Sequence, residues 1–200
     1  MEIINNYLNH LQEGIIITNK TIGIDIDKFI SGESNKLIIV GPAGSGKSTL
    51  GRKLAKKYKT KFFEGDSCWL PAKKKFPEPP IDDKEIDKMN DIYYNCLNTK
   101  LKSTQRMILE GIGFLELFNG TAEEKATILK YPTIVLGTSA LKSTIRAYNR
   151  AKKMKDKEIS PIISMIYYGF VNVFSLDELM KKFKKERIKV KGSNVQVFQI

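Results

Sequence analysis

The sequence predicts an α/β protein in which a mostly parallel sheet lies between layers of helices. Two observations predict this fold class. Short apolar runs typical of buried strands alternate with longer segments in which apolar residues recur at helical spacing. The first of these strands also leads through a glycine-rich turn directly into a helix. Strands that alternate with helices pair in parallel, because each helix returns the chain to the same edge of the sheet.

Composition sets limits on the kind of protein this is. The 200 residues suit one domain, and 42% apolar with 28% charged residues is typical of a chain that buries a core. No apolar run reaches the ~18–20 residues that cross a bilayer, so we expect no membrane partner. Cys68 and Cys96 show neither metal-ligand spacing nor a disulfide framework, which favours a reducing cytoplasm. The net charge of +12 favours binding of nucleic acid or of phosphorylated substrates. The alternative is that the lysines only form solvated helix faces.

Residues 1–35 are predicted as an appendage to a core domain that spans residues 36–200. A short amphipathic helix precedes Gly14, and residues 15–18 and 22–26 are typical of two strands of a hairpin, because isoleucines alternate along the second run. A polar connector at residues 31–35 then leads to the first core strand. We expect this appendage to pack on the core or on a partner.

The first core strand, Leu37–Val40, leads into a phosphate-binding loop. The run that follows contains the pattern G-x-x-x-x-G-K-[ST], which ends at Ser48, and the predicted loop residues are Gly41, Pro42, Ala43, Gly44, Ser45, Gly46, Lys47, Ser48 and Thr49. Glycines let successive backbone N–H groups surround a phosphate, and the helix predicted over residues 49–58 adds its positive N-terminus. Lys47 is predicted to reach the outer phosphates and Ser48 to complete a Mg²⁺ shell. A chance glycine-rich turn is the alternative, but the strand and helix on either side favour binding of ATP with Mg²⁺.

The remaining elements follow in order. Residues 71–80 hold four of the seven prolines, which predicts an extended, irregular segment. The chain ends in a predicted hairpin about residues 192–194. The other predicted strands are 62–64, 106–110 and 133–136, and the other predicted helices are 81–97, one that starts at the capping box 121–124, 140–155, one that runs to about 168, and one that starts at 175.

Ligands of such a sheet lie beyond the carboxyl ends of its strands, so the residues that close the strands are the candidates for chemistry. Asp66, after the second strand, is the candidate general base that accepts a proton from an attacking hydroxyl. Glu64 and Glu110 are its rivals, and Asp66 as a plain turn residue is the alternative. Glu110 is predicted either to hold Mg²⁺ through a water or to cap the next helix.

Arg146 and Arg150 lie four residues apart and therefore share one face of the helix after the fourth strand. Ile145 marks the opposite face, which we expect to be buried. Guanidinium groups bind phosphate oxygens and stabilise charge on a transferred phosphoryl group, so residues 142–160 are predicted as a lid. The alternative is a solvated basic face.

These motifs in this order resemble the small P-loop kinases, a superfamily that includes adenylate, shikimate and gluconate kinases and the 5′-kinase domain of phage polynucleotide kinase. The resemblance covers residues 36–187 and implies the three-layer P-loop NTPase fold. It also implies that Asp66 acts as base and that Arg146 and Arg150 belong to a lid. The run from Tyr7 through Ser34 resembles a leader on phage-encoded P-loop proteins, which implies a host-cytoplasmic protein. The adenylate kinase Asp-Gly-Phe-Pro-Arg segment and the deoxynucleoside kinase Glu-Arg-Ser are absent.

Three functions are consistent with the sequence. The favoured one is a Mg²⁺-dependent kinase that moves the γ-phosphate of ATP to a hydroxyl of a nucleotide, a nucleic-acid end or a modified DNA base. The others are an NTPase that drives assembly or switching, and a nucleic-acid-binding protein regulated by nucleotide. Trp69 and Phe76 either stack on a base of the acceptor or pin the proline-rich segment.

Overall fold

The structure is a computed structural model that describes residues 23–41, 44–76, 82–117, 120–137, 145 and 195–199. Within these residues five strands alternate with helices. The strands are β1 (Lys36–Val40), β2 (Lys61–Glu64), β3 (Met107–Glu110), β4 (Thr133–Gly137) and β5 (Val195–Gln199). The helices are α1 (Gly23–Ser31), α2 (Lys47–Lys57), α3 (Trp69–Lys75), α4 (Asp83–Lys102), α5 (Gly113–Glu116) and α6 (Ala122–Lys130). A 3₁₀ turn, Gly65–Cys68, joins β2 to α3.

The strands form one sheet in the order β2-β3-β1-β4-β5, and every pairing is parallel. The register places Glu110 beside Ile39 on one side and beside Glu64 on the other. The carboxyl ends of β1, β2 and β3 therefore meet at one edge of the sheet. This arrangement brings the phosphate-binding loop, the 3₁₀ turn and Glu110 together.

Two apolar clusters cover the two faces of the sheet, because alternate side chains of a strand point to opposite faces. On one face Ile38 and Leu109 pack with Leu97 of α4 and Phe114 of α5. On the other, the strand residues pack with α1 and α2, in a cluster of Ile26, Phe29, Leu37, Ile39, Leu50, Leu54, Ala55, Ile108, Ile134 and Leu136. All five residues of β1 are buried, as expected of a central parallel strand covered on both sides. The predicted three-layer α/β fold is confirmed.

Several elements match the sequence prediction closely. The helix after the loop, the long helix α4 and strands β1 to β4 lie within a few residues of their predicted bounds. The predicted capping box is present at α6, where Thr121 Oγ1 accepts from the Glu124 N–H and the Glu124 carboxylate accepts from the Thr121 N–H. No helix among the described residues is long and apolar enough to cross a membrane.

Two secondary-structure predictions are wrong. Residues 23–26, predicted as hairpin strand, begin the helix α1, in which Ile26 and Phe29 are three residues apart and buried together. The alternating isoleucines predicted a strand, but this segment buries Ile26 and Phe29 against the sheet, and their spacing of three residues suits a helix. Residues 71–75, predicted as extended, belong to α3, which accommodates Pro71 in its first turn, where a missing N–H costs no helical hydrogen bond.

The expectation about the cysteines is also wrong. Cys68 and Cys96 form a disulfide, with Cα atoms 5.6 Å apart. The sequence separation of 28 residues concealed this, since the fold of β2 and α4 brings the two residues together. At the C-terminus β5 pairs in parallel with β4, while the predicted hairpin partner at residues 189–191 lies outside the described residues. Ile145, expected to be buried, is 50% exposed.

Candidate active site

The backbone of the phosphate-binding loop uses glycines where other residues do not fit. Gly41 is buried with φ of 151°, and a Cβ atom there would lie 2.3 Å from the Leu136 carbonyl oxygen of β4. Gly46 has φ of 87° at the position that precedes α2. Both backbone conformations are strained for residues with side chains. The loop therefore follows the sheet edge closely and turns abruptly into the helix.

Two features of the loop suit an anion. The N-cap residue of the 11-residue helix α2 is Gly46, which has no side chain to cap the helix, so an anion suits the positive end of this helix. Ser45 Oγ is buried and has no hydrogen-bond partner among the described residues. A buried hydroxyl without a partner costs free energy, and a phosphate oxygen in the loop would supply one. These features fit a nucleotide phosphate.

Lys47, Ser48 and Glu110 converge at the mouth of the loop. Lys47 Nζ lies 3.6 Å from Glu110 Oε1, and Ser48 Oγ donates a hydrogen bond of 3.2 Å to Glu110 Oε2. The first turn of α2 supplies the lysine and the serine, and the end of β3 supplies the carboxylate. A single carboxylate thus orients both functional residues of the loop.

Glu110 is nearly fully buried, and this burial raises the pKa of its carboxyl group. The Lys47 ammonium and the Ser48 hydroxyl oppose that effect, while the negative charges of Asp66 and Glu64 add to it. A buried carboxylate whose desolvation is only partly compensated gains from a bound cation. The electrostatics of this position therefore favour a metal ion.

Ser48 and Glu110 fit the coordination of Mg²⁺. Adjacent oxygens of an octahedral shell with metal distances of ~2.0–2.1 Å lie about 2.9 Å apart, and Ser48 Oγ and Glu110 Oε2 are 3.2 Å apart. The described residues contain no group of three or more acidic, histidine or cysteine side chains that would form a complete cage. Mg²⁺ commonly takes few protein ligands and fills its shell with phosphate oxygens and water. Among the described residues, no hydrogen bond from a backbone N–H of the next helix to the Glu110 carboxylate supports the alternative prediction that Glu110 caps that helix.

The three carboxylates proposed as base differ in their partners. Glu64 forms an ion pair with Arg52, and Glu110 contacts Lys47 and Ser48. Asp66 is exposed, and its carboxylate has no ion pair or hydrogen bond to the rest of the described structure. A base must be free to accept a proton from a substrate hydroxyl. Asp66 meets this requirement best.

Close backbone packing fixes the turn that carries Asp66. A Cβ atom on Gly65 would lie 2.9 Å from the Glu110 carbonyl oxygen and 3.3 Å from Leu97 of α4. Ser67 Oγ donates to the Glu64 carbonyl oxygen at 2.6 Å, which closes the turn on itself. The backbones at the ends of β2 and β3 consequently touch, and this brings Asp66 into the electrostatic field of Glu110.

Sequence reasoning missed Glu116 and Tyr94, which lie on the same side as Asp66. Tyr94 Oη donates a hydrogen bond of 3.2 Å to Glu116 Oε2. Burial raises the pKa of Glu116, and the charge of Asp66 raises it further. Burial and Glu116 together raise the pKa of Tyr94 to about 12. No motif marks these residues, because they come from α4 and α5 and meet only in the fold.

The contacts of Trp69 support the alternative that this residue pins the neighbouring segment rather than stacking on a base of the acceptor. Its indole stacks on the buried ring of Tyr93, with centroids 4.1 Å apart and planes 11° apart. One face of Trp69 is therefore used inside the protein. Phe76 ends α3, and Lys75 Nζ lies 5.8 Å from its ring centroid. Both contacts are made within the protein and need no nucleobase of an acceptor.

Some predicted site residues lie outside the described residues. These are Pro42 and Ala43 of the loop and Arg146 and Arg150 of the predicted lid. Thr49, the last loop residue, is exposed in the first turn of α2. The predicted division into residues 1–35 and 36–200 stays a prediction, although α1 already shares a core cluster with α2 and β1.

The strand order, the loop and the helices define an α/β P-loop fold. Solved structures similar to this chain include shikimate kinase from Aquifex aeolicus vf5, with 14% identity and a TM-score of 0.47, covering 82% of this chain and 85% of that one. A gluconokinase from Sinorhizobium meliloti 1021 has 15% identity and a TM-score of 0.39, covering 74% and 96%. The YorR protein from Bacillus subtilis, in complex with phosphorylated GDP, has 16% identity and a TM-score of 0.43, covering 82% and 85%. No protein-family model and no curated protein sequence matches the chain.

Proposed function

We propose that this protein is a Mg²⁺-dependent kinase that transfers the γ-phosphate of ATP to a hydroxyl group. The observation that carries the proposal is a contrast at one edge of the sheet. Glu110 contacts the motif lysine and serine, whereas the nearby Asp66 carboxylate has no ion pair or hydrogen bond with another described residue. The first set suits a triphosphate and its metal. The second suits an alcohol that must lose a proton.

Each residue has a distinct part in this reaction. The loop amides and the N-terminus of α2 bind the β- and γ-phosphates, and Lys47 reaches the outer phosphate oxygens. Asp66 orients the acceptor hydroxyl and accepts its proton as the oxygen attacks phosphorus. Ser48 and Glu110 would hold Mg²⁺, whose positive charge would neutralise charge on the phosphates. Arg146 and Arg150 are proposed to close over the transferred group.

Transfer rather than hydrolysis is supported by the state of Asp66. Asp66 is exposed and has no hydrogen-bond or ion-pair partner in the part of the chain that the structure describes, so its carboxylate is available to a bound substrate. We propose that the acceptor hydroxyl belongs to a nucleotide, a nucleic-acid end or a modified DNA base. The net charge of +12 supports an acceptor that carries phosphates of its own.

The test incubates the protein with γ-labelled ATP, Mg²⁺ and a panel of acceptors. The panel contains nucleosides, nucleotides, 5′-hydroxyl oligonucleotides, hydroxymethylated DNA, shikimate and gluconate. We expect label on one nucleotide or nucleic-acid acceptor and none on shikimate or gluconate. The Lys47→Ala protein is the control, and it must transfer no label.

Other outcomes separate the alternatives. Release of free phosphate with every acceptor, and no labelled product, contradicts the kinase and supports an NTPase. Nucleic-acid binding that ATP changes without any phosphate transfer supports the nucleotide-regulated binding protein. In that case affinity must fall steeply with added salt, since phosphate contacts release counterions.

A further inference from the structure

We propose that the Cys68–Cys96 disulfide is a redox-sensitive positioning element of the acceptor half of the site. The inference rests on the proposed kinase function. In the oxidised protein the bond fixes the turn that carries Asp66 against α4, and its reduction lowers phosphate transfer while ATP binding is retained.

The position of the bond is what carries this inference. Cys68 is the last residue of the 3₁₀ turn Gly65–Cys68, two residues after Asp66. Cys96 lies in the middle of α4, one residue before Leu97, which packs beneath Gly65. The bond therefore ties the candidate base to the helix that borders the acceptor side. Lys47, Ser48 and Glu110 lie on α2 and β3, which the bond does not join.

The contacts that remain without the bond keep the turn folded but hold it less tightly. Asp66 is exposed, and its carboxylate forms no hydrogen bond or ion pair with another described residue. The noncovalent contacts of its turn include the close packing of Gly65, the hydrogen bond from Ser67 to the Glu64 carbonyl oxygen, and the stacking of Trp69 on Tyr93 of α4. The Cys68–Cys96 bond adds a covalent link between the turn and α4. A displacement of about 1 Å at a reacting group can cost as much as ~10²-fold in rate. Loss of this covalent link is therefore expected to change turnover.

The two sulfurs differ in access, and this difference sets the chemistry of reduction. Cys68 is completely buried, whereas Cys96 is only partly buried. A dithiol reductant attacks Cys96 Sγ, which breaks the S–S bond and releases Cys68 as a thiolate that takes up a proton. The second thiol of the reductant then displaces the Cys96 sulfur, so that the reductant becomes a cyclic disulfide. Two electrons and two protons pass to the protein, and both cysteines end as thiols.

The experiment compares the full chain after treatment with oxidised glutathione and after treatment with dithiothreitol. Intact mass and thiol alkylation establish the redox state, since the oxidised protein is two hydrogens lighter. We expect turnover about tenfold higher in the oxidised protein, unchanged affinity for ATP, and faster amide hydrogen exchange over residues 65–68 after reduction. Cys96→Ser and Cys96→Ala are expected to match the reduced protein and to ignore both reagents.

Three results would overturn the inference: two free thiols that persist under oxidant, equal turnover and exchange in both states, or a loss of ATP affinity equal to the loss of turnover. Because reduction needs no mutation, a poorly folded variant does not block the test. Absence of transfer in both redox states contradicts the kinase function instead. In that event exchange at residues 65–68 still decides whether the bond restrains the turn.

Discussion

The phosphate half and the acceptor half of the site differ in how their charged groups are satisfied. In the phosphate half, Glu110 is buried and contacts both Lys47 and Ser48. In the acceptor half, Asp66 is exposed and makes no such contact with any described residue, while Glu116 is half-buried and accepts a hydrogen bond from the Tyr94 hydroxyl. Contacts between the protein's own side chains therefore organise the phosphate half. The acceptor half depends on packing and on the substrate to complete it.

The largest expected effect comes from removing the Lys47 ammonium group from the phosphate half. Lys47→Ala is expected to lower phosphate transfer by about 10³-fold or more, because the outer phosphates lose their cation and Glu110 loses its ion-pair partner. Labelled-ATP assays measure the loss. Lys56→Ala, an exposed residue of the same helix, is the matched control and must leave turnover unchanged. Transfer that survives in Lys47→Ala would refute the assignment of this half.

The second prediction tests the acceptor half. Asp66→Asn is expected to lower turnover by about 10²- to 10⁴-fold with little change in ATP affinity, because the amide cannot accept the proton. Glu64→Gln is the matched control, since Glu64 already pairs with Arg52, and it is expected to change turnover less than about threefold. A loss below tenfold in Asp66→Asn, or a larger loss in Glu64→Gln, would move the role of base to another carboxylate.

A third prediction concerns Mg²⁺ at the boundary of the two halves. Glu110→Gln is expected to raise the Mg²⁺ concentration required for half-maximal transfer by about 10- to 100-fold. Burial raises the pKa of Glu110, so on acidification this carboxyl group takes up a proton at a higher pH than an ordinary glutamate does. The Mg²⁺ concentration that the wild-type protein requires must therefore begin to increase at that higher pH. The variant must lack this pH dependence. Titration of Mg²⁺ at several pH values measures both effects, and an identical pH dependence in wild type and variant would show that another group titrates.

The same contrast explains what the sequence could predict. The phosphate half depends on consecutive residues, Gly41 to Thr49, whose spacing alone specifies the backbone geometry, and the structure has the strand, turn and helix that the pattern requires. Glu110 was recognisable because parallel strands end at a common edge. The fold class followed from the same alternation of strands and helices.

The acceptor half was largely beyond prediction. The contact of Tyr94 with Glu116 and the bond of Cys68 to Cys96 join residues 22 and 28 positions apart, and nothing local encodes either pairing. Local patterns also failed where burial against the sheet overrode them. Ile24 and Ile26, which the alternation predicted as strand residues, lie in the helix α1, and Pro71 lies in the first turn of α3, where proline is tolerated.

The smallest expected effect is on stability, at Glu116. The pKa of Glu116 is raised in the folded protein. As the pH rises through the ordinary glutamate pKa, the unfolded chain therefore loses the Glu116 proton while the folded protein still holds it. The free energy of unfolding falls over this pH range. Glu116→Gln removes that loss, and the glutamine oxygen can still accept from Tyr94. The difference in the free energy of unfolding between the variant and the wild type is expected to be more favourable to the variant at pH 7.5 than at pH 4, by about 1 kcal/mol or less.

Urea unfolding of both proteins at the two pH values measures this gain, because the other carboxyl groups titrate alike in each and cancel in the difference. Glu123→Gln, which alters an exposed carboxylate, serves as the matched control. A gain of the same size at both pH values would assign it to packing rather than to the charge of Glu116. A gain confined to high pH would show that the acceptor half holds a carboxylate at a cost in stability, as expected of a surface shaped to receive a ligand.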